Sequence, residues 1–539
     1  MKKRLMAFML VAVFTLTMLA GCGGTNKGPD KASNQTTAVQ SDSGISQPQK
    51  PEHLSFTIFS LDDQPDFMTW PLVKDAMEKF NFDFKIQQVA WDNWDETTRT
   101  LVATNGLPEV LAWYNLLYGE YTNWVKQGVF KALPEDMSKY PNLQTLTQEY
   151  SIFNKLKVDG KLYAFPKVMN NNPWNEYSQN MVVYRKDWAK EAGYNFADVQ
   201  DITMKDFIAY LKDIKAKDPG KLGDKLVPFD LAHGGLSWYS WVGWQYNPYL
   251  YTFKKVDGKY AWGGNDAGSL QGIMDMHSLY EEGLLAKDSY ADKTMAGADR
   301  FTAGRSATIM GPIVPSILQT LFLGINTNLK LPETNFGVFC IKGEDGKFKV
   351  GQKPEWWASF AFSNNCRDEV MDRWLTVGNW MLEQEQIETA AYGVKDVDWT
   401  REGDTVKINW KPEETQEGGP KAYINDERLH FQKFFVLEGM ETWLPGNPLV
   451  SKYCVEDLYH GMMNMYDTNP SYTPTDYDVV YFSSKEYDAN AGPLEAETRD
   501  AVIKAVVSKD PAKEWDKFVK SKEKAVQIST DELNKAFAK

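Results

Sequence analysis

Aromatic side chains are the groups in this sequence that most clearly could bind a ligand, because several stand among polar, loop-like residues. The 539 residues include 19 Trp, 26 Tyr and 28 Phe. The densest run is 238–246, with the sequence WYSWVGWQY, whose spacing fits neither a regular strand nor one face of a helix. Flat rings can stack on the apolar C–H faces of a sugar. The run therefore suggests a ligand with flat faces, against the alternative that the rings only fill cores.

A site for such a ligand needs rings together with charged or amide groups that hydrogen-bond hydroxyls. The candidate rings stand at 238–244, in the polar run 170–177, at 356–357 and beside strands predicted early in the chain: Trp70, Trp113, Tyr114, Trp174, Tyr177, Trp238, Tyr239, Trp241, Trp244, Trp356 and Trp357. The candidate polar partners are Asp62, Asp63, Asp66, Glu109, Asn172, Glu176 and Arg305. For each ring the competing interpretation is a core position, and for each charge it is a solvated surface position.

Sequence signatures of catalysis and of metal binding are missing. The five histidines have no HxxxH or HExxH spacing, and the chain has no Gly-x-Ser-x-Gly elbow and no phosphate-binding glycine loop. Residues 396–404 are acidic but lack the glycine spacing of an EF-hand. A carboxylate pair across a cleft would suit a glycosidase, but among 73 acidic residues some pair always fits. We therefore expect no metal, no cofactor and no catalysis.

The N-terminus has the parts of a secretory signal. Lys2, Lys3 and Arg4 precede an apolar run at 5–19, which is shorter than the ~20 residues of a spanning helix. The sequence Leu-Ala-Gly-Cys at 19–22 resembles the bacterial lipobox, which implies that the Cys22 thiol carries a diacylglycerol and becomes the mature N-terminus. The alternative is an ordinary signal with a chance cysteine. Residues 23–52 are polar and predict a disordered tether.

Charge and cysteine content limit the possible partners. The formal net charge is −14, which disfavours nucleic acid and anionic lipid, because binding to either requires basic patches. The membrane link is therefore expected to be the lipid on Cys22 alone. The other cysteines, Cys340, Cys366 and Cys454, are scattered, and we expect buried free thiols and at most one disulfide.

The elements that must position these residues alternate between strand and helix. Apolar residues alternate at 54–58 and 82–86 and are continuous at 110–114, while helical patterns occupy 71–80 and 91–104. This order predicts a parallel sheet with right-handed crossovers. Ligands bind beyond the carboxyl ends of such strands, which places 62–70 and 113–118 near a site.

A series of short motifs follows in a fixed order: GLPEV at 106–110, GVFKAL at 128–133, DGKLYAFP at 159–166, YRKDW at 184–188, LYEEGL at 279–284, FTAGRSATIM at 301–310 and YGV at 392–394. Together they resemble the extracellular solute-binding proteins of ABC importers, of family 1, the carbohydrate type, in its large lipoprotein branch. Glu109 stands where that family usually has Asp, and Arg305 where Lys is common.

The resemblance implies an α/β fold: a two-lobe clamp like that of periplasmic binding proteins, with a sheet flanked by helices in each lobe and hinge crossovers between lobes. Lobe 1 is expected at 53–165 plus about 340–435, and lobe 2 at 166–339 plus about 436–539. The crossings are expected near 163–173, 338–356 and 430–445. Ligand would bind between the lobes, which close by a hinge motion.

The function implied is that of a substrate-binding lipoprotein on the outer face of the cell membrane. It would capture an oligosaccharide as a monomer and deliver it to the permease subunits of an ABC transporter. The alternative is a surface polysaccharide-degrading enzyme, a glycosidase or lyase with a catalytic cleft. A peptide-binding protein is a third possibility, although the many tryptophans favour sugar.

Overall fold

The structure is a computed structural model that describes residues 51–61, 68, 71–168, 181–292, 295–311, 315–352, 356–392, 395–397, 399–403, 405–409, 431, 433–436 and 455–537. The predicted signal with Cys22 and nearly all of the tether lie outside these ranges. So do eight candidate site residues: Asp62, Asp63, Asp66, Trp70, Asn172, Trp174, Glu176 and Tyr177. The elements described below belong to one compact unit, Lys50–Lys539.

The strands in chain order are β1 (Leu54–Leu61), β2 (Phe82–Val89), β3 (Val110–Tyr114), β4 (Ala164–Val168), β5 (Met181–Arg185), β6 (Val199–Thr203), β7 (Val227–Leu231), β8 (Phe253–Val256), β9 (Lys259–Trp262), β10 (Ser306–Gly311), β11 (Phe336–Lys342), β12 (Phe348–Gly351), β13 (Trp356–Phe362), β14 (Trp399–Glu402), β15 (Thr405–Ile408) and β16 (Pro470–Thr473).

The helices are α1 (Pro71–Phe80), α2 (Trp94–Ala103), α3 (Tyr118–Lys126), α4 (Pro141–Glu149), α5 (Ile152–Lys155), α6 (Lys186–Ala192), α7 (Met204–Lys217), α8 (Gly234–Gln245), α9 (Ala267–Glu281), α10 (Ala296–Thr302), α11 (Pro315–Leu329), α12 (Asp368–Met381), α13 (Gln384–Tyr392), α14 (Val455–Thr468), α15 (Tyr477–Val480), α16 (Lys485–Ala491), α17 (Leu494–Val506) and α18 (Pro511–Phe537).

The first lobe is built on a five-stranded sheet in the order β2-β1-β3-β13-β4. Strand β1 pairs in parallel with both β2 and β3, as the alternating pattern predicts. Strand β13 is antiparallel to both of its neighbours, β3 and β4. Strands β1 to β4 therefore all point the same way, and their carboxyl ends share one edge. Helix α1 buries Leu72, Val73 and Ala76 on one face, which is the face predicted from helical spacing.

The second lobe contains a seven-stranded sheet in the order β16-β12-β11-β5-β10-β7, with β6 also paired to β11. Strands β7 and β10 are parallel, as are β6 and β11, while β5 runs antiparallel between β10 and β11. The first lobe has one large hydrophobic core, which includes Trp374, and the second lobe has several, the largest of which includes Trp241. The predicted α/β fold with helix-flanked sheets is confirmed.

The chain passes from the first sheet to the second between Val168 and Met181, and it returns between Gly351 and Trp356. The lobe boundary expected near residue 340 is therefore corrected, because it falls inside β11 of the second sheet. The physical reason is the turn at 343–347, where Gly346 has a φ of +73° and the chain folds back into the same sheet as β12. Phe431, Phe434, Phe435 and Val436 still pack in the core of the first lobe, whereas α14 packs in a hydrophobic cluster of the second lobe.

Two further features bear on the sequence-based expectations. Cys340 and Cys366 are free, and burial raises the pKa of both thiols, to about 12 for Cys366. Cys454 lies outside the described ranges. Among the helices that the structure describes, none is long and apolar enough to span a membrane.

Candidate functional site

Four tryptophans meet at the carboxyl edge of the first sheet, and we call Trp91, Trp94, Trp113 and Trp357 the tryptophan cluster. The ring centroid of Trp357 lies 5.5 Å from that of Trp91, 5.9 Å from that of Trp94 and 5.5 Å from that of Trp113. Trp91 and Trp357 are 40% and 37% exposed, whereas Trp94 and Trp113 are only 6% and 8% exposed. Two buried rings thus support two exposed ones.

The strands explain why these rings converge. Trp91 opens a short helical turn directly after β2, and Trp94 begins α2. Trp113 is the penultimate residue of β3. Trp357 lies near the start of β13, which is antiparallel to β3 and so begins at the edge where β3 ends.

A break in strand pairing orients Trp357. The register of β13 against β4 shifts between Trp356 and Ser359. Ala358 within this bulge has a φ of +56°, a left-handed conformation that is unfavourable for a residue with a Cβ. Bulges of this kind redirect side chains beside functional sites. Here the result is an exposed Trp357 next to a half-buried Trp356.

Polar groups of the first lobe lie at the same edge. Asp95 is in the first turn of α2, and Asn115 Nδ2 donates a hydrogen bond to its Oδ1 at 2.8 Å. Lys167, the penultimate residue of β4, is fully buried, with its Nζ 3.4 Å from the ring centroid of Trp113. Burial lowers the pKa of Lys167 well below its usual value.

The second lobe contributes α8 and α17 to the opposite side. Helix α8 begins two residues after β7, at the carboxyl edge of the second sheet, and its Tyr239 lies 5.1 Å from Tyr251 between ring centroids. Desolvation raises the pKa of Glu495 on α17, Arg499 lowers it, and Asp95 of the first lobe raises it. Glu495 is nevertheless exposed to solvent. It is therefore surrounded by protein atoms but still in contact with water. Its interaction with Asp95 brings a carboxylate of each lobe toward the same space.

A segment of the second lobe also contacts the first, and we call residues 477–491 the bridging segment. Trp356 Nε1 donates to the Tyr481 hydroxyl at 2.9 Å, and the Thr122 and Ser483 hydroxyls are 3.1 Å apart. The approach is close, since a Cβ added to Gly119 would lie 2.7 Å from an oxygen of Asp488.

The bridging segment is anchored on α18 of the second lobe. The Ser484 hydroxyl donates to Glu532 at 2.7 Å, and the ring of Phe482 packs 5.4 Å from that of Phe537. A movement of one lobe against the other must therefore rearrange the contacts of Tyr481 and Ser483.

Several predicted site residues belong to cores instead, and these expectations are corrected. Trp241 is fully buried, with its ring 5.0 Å from that of Phe229. Trp238 is fully buried as well, and its Nε1 donates to the Ser289 hydroxyl at 3.1 Å. Tyr114 is buried, with its ring 5.1 Å from that of Phe130. Trp244 is half-buried. It lies ten residues after the start of α8, which at a rise of 1.5 Å per residue is about 15 Å from the carboxyl edge of the sheet.

Two predicted charges lie at the wrong edges of the sheets. Glu109 immediately precedes β3, and its carboxylate accepts two hydrogen bonds from the Arg367 guanidinium at 2.9 and 3.0 Å. Arg305 immediately precedes β10 and is exposed. A five-residue strand is about 17 Å long, so residues at amino ends lie far from the cleft. Both expectations are therefore corrected.

The structure retains some predicted residues and adds others. Trp113 and Trp357 are in the tryptophan cluster, and Trp356 contacts the bridging segment. Tyr239 is on the second-lobe side but is buried, 5% exposed, in the same core as Trp241. Those missed from the sequence are Trp91, Trp94, Asp95, Asn115, Lys167, Tyr251, Glu495 and Arg499. The first three follow β2 directly, so the carboxyl-end rule could have found them. Glu495 and Arg499 had no comparable signal.

Metal ligands do not gather in the part of the chain that the structure describes: no group of three His, Cys, Asp or Glu side chains there could hold an ion. The acidic stretch 396–404 leads into the two-stranded hairpin of β14 and β15.

Residues 71–372, more than half of the chain, match the family model of the bacterial extracellular solute-binding proteins. The chain belongs to this family. The family resemblance drawn from the short motifs is thereby confirmed, and membership indicates that this solute-binding protein acts outside the cytoplasm. A comparison with curated proteins gives no significant match.

Solved structures share the two-lobe fold of this solute-binding protein. The alginate-binding protein AlgQ2 has a TM-score of 0.66 at 16% identity, over 90% of this chain and 99% of that chain. The Streptococcus pneumoniae ABC-transporter substrate-binding protein FusA, solved with kestose, has a TM-score of 0.63 at 15% identity, over 89% and 99%. An HMO-binding, ABC-transporter-associated protein of Bifidobacterium longum infantis has a TM-score of 0.59 at 15% identity, over 91% and 100%. At these identities the likeness establishes the fold.

Proposed function

We propose that this protein is the substrate-binding lipoprotein of an ABC importer, and that it captures an oligosaccharide between its lobes and delivers it unchanged to the permease. The tryptophan cluster is the observation that carries the proposal. It presents two exposed rings, Trp91 and Trp357, at the ligand-binding edge of a parallel sheet. Indole faces stack on sugar C–H faces, and the nearby carboxylates Asp95 and Glu495 can accept hydrogen bonds from hydroxyls.

The structural neighbours support a carbohydrate cargo. These neighbours are an alginate-binding protein, a protein solved with kestose and an HMO-binding protein, and a further neighbour from Streptococcus pneumoniae is an N-glycan transport protein, with a TM-score of 0.56. Each of these is a statement about the neighbour. For this chain the argument is that the same two-lobe fold is combined with an aromatic surface at the cleft.

Capture would proceed by closure of the lobes. A ligand favours the closed state only through contacts that it makes better there. The tryptophan cluster on one lobe and Tyr239, Glu495 and Arg499 on the other offer such contacts from both sides. The bridging segment would rearrange in the same movement.

The decisive experiment is a thermal-shift and tryptophan-fluorescence screen of the full chain against plant and microbial oligosaccharides. A ligand present at 100 times its dissociation constant adds about 2.7 kcal/mol of stability. Mass spectrometry of the recovered ligand then distinguishes a binding protein from a polysaccharide-degrading enzyme. An unchanged sugar supports a binding protein. A shortened sugar would make the protein a glycosidase or lyase, with Asp95 and Glu495 as the first carboxylates to test. If no sugar in the panel binds, the proposal fails.

The membrane anchor has a separate test. We expect Cys22 to carry a diacylglycerol, so cells fed labelled palmitate should label the wild-type protein but not the Cys22→Ser variant. Label that persists in Cys22→Ser would contradict the anchor. We also propose that the protein works as a monomer, and a stable dimer at micromolar concentration in sedimentation would contradict that.

A further inference from the structure

Lys167 has a buried side-chain amino group for which the described residues provide no hydrogen bond. It lies in β4, whose other residues, Ala164, Phe165, Pro166 and Val168, are uncharged and buried. Lys167 is 0% exposed, and its Nζ has no hydrogen-bond partner among the residues that the structure describes. An unpaired buried charge is unfavourable, and the group responds with a lowered pKa. A methionine would occupy much the same volume without this penalty, so packing alone does not account for a lysine here.

The position of the ammonium connects it to the candidate site. Its Nζ lies 3.4 Å from the ring centroid of Trp113. A cation–π contact of this kind offsets only part of the free energy lost when the ammonium is removed from water. Trp113 in turn lies 5.5 Å from the exposed Trp357 between ring centroids. Lys167 therefore stands directly behind the aromatic surface, one residue from the carboxyl end of its strand.

Among the residues that the structure describes, Asp95 is a carboxylate of the first lobe near this edge, and it already has a partner. Asp95 accepts a hydrogen bond from Asn115 at 2.8 Å, and no ion pair joins it to Lys167 in the described part of the chain. An anion brought by a ligand would thus be the missing partner. The long, flexible stem of lysine allows its ammonium to swing from the ring of Trp113 toward such a group.

We propose that Lys167 binds an acidic group of the cargo, a carboxylate or a sulfate, and that the cargo is therefore an acidic oligosaccharide. This inference rests on the proposed function. Trp113 and Trp357 would contact the sugar ring that carries the anion, while the ammonium donates charge-assisted hydrogen bonds to it. The net charge of −14 repels such a ligand only weakly from a distance, because physiological salt screens exposed charges that are more than about 8 Å apart.

The test compares acidic oligosaccharides with neutral counterparts of identical linkage. The full chain is titrated by calorimetry with oligomers of galacturonate, glucuronate and alginate and with sulfated galactans. Each uronate is paired with its carboxyl-reduced form, and each galactan with its desulfated form. We expect at least one acidic oligomer to bind ten-fold or more tightly than its neutral counterpart. In Lys167→Met this preference should fall below two-fold, while the melting temperature without ligand should rise.

Lys85→Met is the matched control, because Lys85 lies on β2 of the same sheet but is exposed. It makes the same change of charge and should keep the preference. A preference that survives in Lys167→Met would overturn the proposal. The proposal would also be overturned if a neutral oligomer bound the wild-type protein as tightly as its acidic form does. This measurement needs only the wild-type protein, so it remains possible if Lys167→Met does not fold. Binding of neutral sugars only would leave the proposed function intact, whereas binding of no sugar would remove both.

Discussion

The two tryptophan-rich regions of this protein have opposite roles in the structure, although both are conspicuous in composition. In α8, Trp238 and Trp241 follow one another within four residues and fill the second core. The tryptophan cluster assembles from residues as distant as Trp91 and Trp357 and presents two of its rings to solvent. The comparison teaches that closeness in sequence indicates a shared element, whereas a binding surface collects residues that different strands bring to one edge.

The largest expected effect tests the core side of this comparison. Replacing Trp241 by Ala removes a fully buried ring beside Phe229, and the loss of a core tryptophan costs about 3–5 kcal/mol of unfolding free energy. Denaturant unfolding measures the loss, and calorimetry should show that the remaining folded protein binds sugar as before. A change of less than about 1 kcal/mol in the unfolding free energy is typical of a surface substitution. Such a small change would contradict a core role for Trp241.

The next effect tests the surface side. Trp357→Ala should weaken sugar binding about ten-fold, which corresponds to about 1.4 kcal/mol, because an exposed platform is lost. The unfolding free energy should change by less than about 1 kcal/mol. Trp244→Ala is the control, since this half-buried ring lies on the far part of α8. Equal losses of affinity in Trp357→Ala and Trp244→Ala would argue against a cluster-specific site.

A smaller effect asks whether the cluster acts as a unit. The rings of Trp91 and Trp357 are 5.5 Å apart between centroids, and aromatic pairs at this distance are coupled by about 0.5–1.5 kcal/mol. A double-mutant cycle with Trp91→Ala and Trp357→Ala should show that coupling in sugar affinity. Additive losses would mean that the two rings bind separate parts of the ligand.

The smallest effect concerns the second-lobe side of the cleft. Since the pKa of Glu495 is raised in the folded protein, the folded state holds its proton more tightly than the unfolded state does. This contribution to stability is present at acidic pH and is lost as pH rises through the folded pKa. Glu495→Gln should therefore stabilise the protein at pH 7, by less than about 1 kcal/mol because the group is solvent-exposed. The gain should vanish near pH 4. An equal gain at both pH values would assign the effect to something other than ionisation.

The fold of the first lobe could be predicted because its strands and helices alternate with clear periodicity, as in β1, α1 and β2. The site could be predicted only in part. Trp113 and Trp357 were sequence candidates that the structure places in the tryptophan cluster. The pattern of α8 was misjudged, because a helix that is apolar on nearly all sides shows no single face and is buried for that reason. Glu495 could not be found, since it stands on α17, 400 residues after Asp95, the first-lobe carboxylate that raises its pKa.

The order of strands in the first sheet has a consequence for the newly made chain. Strand β13 lies between β3 and β4, so a chain released only as far as Val168 lacks the strand that joins them. The 187 residues between β4 and β13 must therefore be synthesised before the sheet can close. Such distant pairing slows folding and leaves strand edges exposed meanwhile. The first lobe can therefore complete its sheet only after strands β5 to β12 of the second lobe have been synthesised.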